Sequence, residues 1–121
     1  MKEIIALIRP SRAVITKQNL NSEGFPAYSS LRVLGRSRQR GLRYAARPFF
    51  FWRGKSDNTG VQFVPKVYLS LVVADRDVPL VIQCLIRSNQ TGKPGDGKIF
   101  VLPVEEALQI RNGLEGEVSL Q

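Results

Sequence analysis

The chain has 121 residues, enough for one domain with a working core and too few for two. It carries 18 lysines and arginines against 10 acids, no histidine and one cysteine, which excludes an intrachain disulfide, the His-containing zinc sets and every His-based nucleophilic triad. A net charge of +8 favours anionic partners without choosing among nucleotides, small carboxylates, acidic protein surfaces and nucleic acid. No apolar run approaches the roughly 18 residues that span a bilayer, and MKEIIALIRP lacks a cleavage site, so the expected location is the cytoplasm without a membrane anchor.

Residues 3–8, EIIALI, form a compact apolar run closed by Arg9 and Pro10, the pattern of a buried strand. Ser11 can cap a helix running to about Glu23, with Gly24 in the stop position and an apolar stripe of Ala13, Thr16 and Leu20. YSSLRVLG, residues 28–35, carries β-branched and aromatic residues in loose alternation and reads as a second strand. From Arg36 to Gln62 no period survives. FVPKVYLSLVV, residues 63–73, alternates and then turns continuously apolar, which suits a long central strand with Pro65 near its start.

Asp75 or Asp77 caps the next helix, whose stripe of Val78, Val81, Ile82, Leu85 and Ile86 follows helical spacing. Pro79 is tolerated there because it lies in the first turn. Cys84 sits among apolar neighbours and reads as a small core residue. KIFVLPV, residues 98–104, is a further strand. Glu105 to Arg111 then makes a short helix, with Glu105 and Glu106 complementing its dipole and Gly113 beyond its end. The order is βαββαβ, an α+β ferredoxin-like arrangement in which an antiparallel sheet carries two helices on one face.

TGKPGDGKIF, residues 91–100, matches the phosphate-loop spacing from Gly92 to Lys98, but Ile99 stands where a hydroxyl should meet magnesium. The context is also reversed, since a helix precedes this loop and a strand follows it. Two readings remain: an anion-binding nest of glycine amides assisted by Lys93 or Lys98, and a tight turn that needs glycine for positive φ.

TGKPGDGKIFVLPVEEALQIRNGLEGE, together with RVLGRSRQRG at 32–41 and FVPKVYLSLVV at 63–73, resembles the nitrogen-regulatory PII family over the whole chain, interrupted in the long loop. MKEIIALIRP, EGFPAYSSLRVLGR and KSDNTGVQFVPK are similar to the second member of the pair of PII-like proteins encoded beside nitrogenase genes. The resemblance implies one domain over 1–121 with an extended effector loop at about 36–62. It implies a homotrimer, or a mixed trimer with a paired PII-like subunit, that binds ATP or ADP in clefts between neighbours. By the same likeness Gly95, Asp96, Gly97 and Lys98 would hold the phosphates and Ser29 and Val72 would line the adenine and ribose region. Arg111 would reach the terminal phosphates, and Arg38 would reach them from the adjacent subunit. Gln39 would help hold magnesium and 2-oxoglutarate, and Lys66 would pair with a carboxylate of that acid. Two positions depart from the family: Ser37 replaces a glycine, and Gln109 replaces an arginine two residues before Arg111.

The long loop sets Arg43, Arg47 and Arg53 around Phe49, Phe50, Phe51 and Trp52. Arginine beside exposed aromatics suits a protein-docking hot spot, and it equally suits a platform for single-stranded nucleic acid. A third reading folds the aromatics back onto the subunit. The family likeness favours docking, and so a non-catalytic signalling protein acting on a nitrogen-metabolism target, nitrogenase first. Its rivals are a basic nucleic-acid-binding module and a ligand-independent trimeric adaptor. An enzyme would need a nucleophile and base pair or a metal set that the sequence does not display.

Overall fold

Alternation in the first apolar run decides which way the sheet faces. In β1 (Lys2–Ile8), Ile4, Ala6 and Ile8 are buried and the residues between them point to the opposite face. The structure, a computed structural model, describes residues 1–36 and 63–121. In it β1 pairs antiparallel with both β3 (Val64–Val73) and β4 (Lys98–Pro103), while β2 (Ser29–Gly35) pairs antiparallel with the outer side of β3. The resulting order, β2-β3-β1-β4, is the ferredoxin-like arrangement expected from the sequence.

The register stacks the core. Ile4 lies opposite Leu71 and Val101, and Ala6 lies opposite Leu69 and Ile99. On that face sit α1 (Ala13–Ser22) and α2 (Val78–Asn89), which add Ala13, Leu20, Val81, Cys84 and Leu85 to one continuous cluster. Ile4, Leu20, Leu69 and Leu85 are fully enclosed. Each contributes about 1.5–3 kcal/mol by leaving water. The stripe of Ala13, Thr16 and Leu20 is the buried side of α1, and Gly24, at φ 94°, ends that helix as expected.

Neither helix starts on the cap the sequence suggested. Pro10–Arg12 and Asp75–Asp77 each form a 3-10 entry turn, and the side chains at the two N-cap positions, Arg12 and Asp77, make no capping hydrogen bond. Main-chain bonds from Arg12 N to Arg9 O and from Asp77 N to Ala74 O close those turns, so Ser11 and Asp77 are not used as caps. Asp75 instead pairs with the amino terminus at 2.9 Å. Pro79 does occupy the first turn.

The buried side of α2 is also rotated from the expected stripe. Val81 and Leu85 are buried, Ile86 is 43% exposed, and Cys84, Ser88 and Asn89 complete the inner face. The two polar residues can lie inside because Ser88 Oγ donates to Cys84 O and Asn89 Nδ2 donates to Leu85 O. Cys84 is the core residue expected, and burial pushes its thiol pKa up.

Residues 105–111 are not helical. Leu108 bridges Glu115, Gln109 N donates to Leu114 O and Gly116 N donates to Ala107 O, which makes a short hairpin. Seven residues hold a helix only if one face packs on something. Here Leu108 is 59% exposed and Ile110 fully so, so Glu105 and Glu106 cap nothing. Gly113, at φ 71°, lies in the turn of this hairpin, and the helical turn after β4 is a 3-10 segment, Gly116–Leu120.

Candidate anion-binding site

The loop joining α2 to β4 depends on its glycines. Gly92, Gly95 and Gly97 have φ of 82°, 101° and 112°. A Cβ at Gly97 would lie 1.9 Å from the carbonyl oxygen of Leu7, and one at Gly95 would lie 3.0 Å from the Arg9 guanidinium.

Asp96 gives the loop its shape. Its carboxylate accepts hydrogen bonds from the hydroxyl and amide of Thr91, from Gly92 N at 2.9 Å and from Arg9 Nη1 at 2.6 Å. Arg9 Nη2 also donates to Pro94 O at 2.9 Å. The Thr91 hydroxyl, followed by the Thr91 amide and Arg9, holds the Asp96 carboxyl far below the usual carboxylate range. Lys66 Nζ donates to Gly95 O at 2.7 Å. Burial and then the charge of Arg9 lower the Lys66 pKa, against a smaller opposing pull from Asp96.

Between this loop and the sheet opens a cleft of about 470 Å³. Arg36, Lys66, Lys93 and Lys98 line it, beside the backbone from Gly95 to Gly97. Among the described residues its one acid is Asp96, already engaged by Arg9 and Thr91. Four cations around loop backbone fit a phosphate or carboxylate group and would repel a cation.

Gly95, Asp96, Gly97, Lys98 and Lys66 are thus brought together in one cleft. Ser29 and Val72 are not at this cleft. Ser29 pairs with Ser70, and Val72 pairs with Glu3 six positions along β3 from Lys66, or about 20 Å away. Arg111 lies exposed in the C-terminal turn. Within one chain Ser29 and Val72 therefore stand apart from the glycine loop. Arg38, Gln39, Arg43, Arg47, Phe49, Phe50, Phe51, Trp52 and Arg53 lie outside the described residues.

Sequence reasoning missed Arg9 and Thr91. Arg9 was read only as the end of a strand. The signal was nevertheless available once the topology was assigned, because β1 runs beside β4 with Leu7 opposite Lys98, which delivers Arg9 to the loop.

The opposite face of the sheet stays open among the described residues. Leu31 stands 62% exposed, Phe100 47% and Leu102 39%, on the side away from the helices. A four-stranded antiparallel sheet carrying two helices on one face, with a glycine loop leading into its edge strand β4, defines a small α+β protein of the ferredoxin-like class. The family model "Nitrogen regulatory protein P-II" matches residues 1–114, and the chain belongs to that family. Its members are regulators of nitrogen metabolism.

The chain is 40% identical to "Nitrogen fixation nifHD region GlnB-like protein 2" of Methanothermococcus thermolithotrophicus, over 99% of this chain and 98% of the relative. It is 40% identical to "Nitrogen fixation nifHD1 region GlnB-like protein 2" of Methanosarcina barkeri, over the full length of both. Among solved structures, Arabidopsis thaliana PII bound to citrate is similar at a TM-score of 0.74 and 29% identity, covering 99% of this chain and 89% of that one. Among the described residues no helix is long and apolar enough to cross a membrane.

Proposed function

We propose that the protein is a non-catalytic sensor of ATP or ADP and 2-oxoglutarate, acting in the cytoplasm as a trimer of single-domain chains whose 36–62 loop docks on a nitrogen-metabolism target. The observation that carries this reading is the cleft of Arg36, Lys66, Lys93 and Lys98, in which the one carboxylate among the described residues, Asp96, is bound to Arg9. Phosphates would lie against Gly95 to Lys98. Ser29 and Val72 of a neighbouring chain would line the nucleoside, and Arg111 would reach toward the phosphates. The open apolar sheet face and the separation of these two groups within one chain both support assembly.

Arg38 would add a charge to the phosphates, Gln39 would help hold magnesium on bound ATP together with 2-oxoglutarate, and Lys66 would exchange its bond to Gly95 O for a carboxylate of the acid. Citrate bound by the Arabidopsis relative supports carboxylate recognition. The names of the relatives support a nitrogenase component as the target and a paired PII-like subunit as a possible assembly partner. Bound ligands control docking by favouring one conformation of the loop over another. On this reading the target is inhibited when 2-oxoglutarate is low and released when it is high.

Calorimetry with ATP, then with 2-oxoglutarate in the presence of ATP and magnesium, tests the reading. Heat in both titrations is expected, and none in either removes the sensing mechanism. Gln109, an uncharged residue where the family likeness leads one to expect an arginine, favours a second reading as a ligand-independent adaptor. Target control that survives Lys98→Ala combined with Arg111→Ala would support that reading.

A further inference from the structure

Arg9 does not line the cleft, yet it is bonded to the loop at two points 85 and 87 residues away in sequence. We propose that Arg9 is a positioning residue for anion binding: its guanidinium draws the Asp96 carboxylate back into the loop and pins the Pro94 carbonyl, so that the cleft presents cations and backbone. The inference rests on the reading of the cleft as a phosphate site.

Three observations carry it. First, Asp96 belongs to the cleft wall, and a carboxylate left facing a triphosphate would oppose binding by like-charge repulsion. Thr91 and Gly92 can donate hydrogen bonds to it but bring no charge. Among the described residues Arg9 is the cation bonded to it, because the ammonium of Lys66 is spent on Gly95 O.

Second, the guanidinium fork suits the task. Nη1 takes the carboxylate and Nη2 takes the carbonyl two residues earlier, which fixes both loop position and orientation. A lysine has the charge without the fork.

Third, the backbone of Arg9 is itself constrained. A residue before proline is driven to extended angles, and Arg9, followed by Pro10, has φ −67° and ψ 140°. With β1 paired on both sides up to Leu7, the base from which this side chain reaches the loop is rigid.

The test compares wild type with Arg9→Met, Arg9→Lys and Asp96→Asn, alone and with Arg9→Met, by ATP calorimetry and by hydrogen exchange at the Thr91 and Gly92 amides. Arg9→Met is expected to weaken ATP binding about tenfold and to speed exchange at both amides, and Arg9→Lys to recover part of each. In the Asp96→Asn background Arg9→Met should cost little more, since the charge it served is gone. Equal losses in both backgrounds, or undiminished affinity in Arg9→Met, would overturn the proposal. If wild type itself binds no ATP, the nucleotide reading fails separately. The exchange data then judge Arg9, and unchanged amide protection in Arg9→Met overturns its role in the loop as well.

Discussion

Gly97 meets the backbone of β1 so closely that a Cβ there would come within 1.9 Å of the Leu7 carbonyl oxygen. Leu7 cannot retreat, because it is paired with Tyr68 on one side and Lys98 on the other. Gly97→Ala therefore adds this clash to the strain of φ 112°, and is expected to destabilise the fold by more than about 3 kcal/mol. Gly92→Ala is the control. Position 92 has φ 82° but nothing within 4 Å of the added carbon, so about 1 kcal/mol is expected. Urea unfolding of the two variants measures the difference, and equal losses would mean the loop does not rest on β1.

The seam between the two helices is polar where a sequence pattern expects it to be apolar. Asn89 Nδ2 donates to Thr16 Oγ1 at 3.1 Å and to Leu85 O at 2.9 Å, with Asn89 buried. Asn89→Ala removes both bonds and leaves the Thr16 hydroxyl without the amide that donates to it. A loss of about 1–3 kcal/mol in urea unfolding is expected, with the far-ultraviolet spectrum unchanged.

These contacts show what the sequence could and could not reveal. The compact apolar run at 3–8 and the alternating, then apolar, run at 63–73 located β1 and β3, since central strands paired on both sides concentrate apolar residues. The inner side of α2 was misjudged at Ile86 because Ser88 and Asn89 become buriable only through bonds within the helix. The segment from Glu105 to Arg111 has helix-compatible residues. What decides its conformation is the tertiary support it lacks and the hairpin bonds that close across Gly113. The glycine loop was legible as a candidate from its own residues. Arg9 was legible only through the topology, because its partner Asp96 is 87 residues away and no local pattern encodes that meeting.

Lys66 gives a titration test. Burial, then Arg9, lowers its pKa from 10.5, so between the folded value and 10.5 the folded chain binds fewer protons than the unfolded chain. Stability contributed by this group therefore rises as pH climbs through that window. A dicarboxylate placed against the ammonium should raise the folded pKa again. Side-chain nitrogen resonances followed against pH are expected to show Lys66 titrating below the ordinary lysine value, then moving upward when 2-oxoglutarate is added with ATP and magnesium. No movement would place the acid elsewhere.

Assembly can be tested on the open sheet face. Leu31 is 62% exposed beside Tyr68, well away from the core formed by Ile4 and Leu69. Leu31→Lys should leave the folded chain within about 0.5 kcal/mol of wild type while placing a charge in any interface that covers this face. Sedimentation velocity is expected to show a trimer for wild type and smaller species for the variant. A trimer that survives the change would move the interface off this face.

Gln109 offers a gain rather than a loss. The hairpin around it is held by main-chain bonds, Gln109 N to Leu114 O and Gly113 N to Gln109 O, while among the described residues its side chain donates only to Gln121 O, at a long 3.5 Å. Gln109→Arg should therefore keep the fold and add a second guanidinium close to Arg111 in sequence. If this turn faces a neighbour's phosphates, one more charged hydrogen bond is worth about 1.5–3 kcal/mol, or roughly ten- to a hundredfold in ATP affinity. The gain should shrink as salt is raised, since an added exposed cation acts partly through long-range attraction. Calorimetry at two salt concentrations reads both effects. Unchanged affinity with an intact trimer would show that residue 109 stands clear of the phosphates, and that Arg111 must be judged without it.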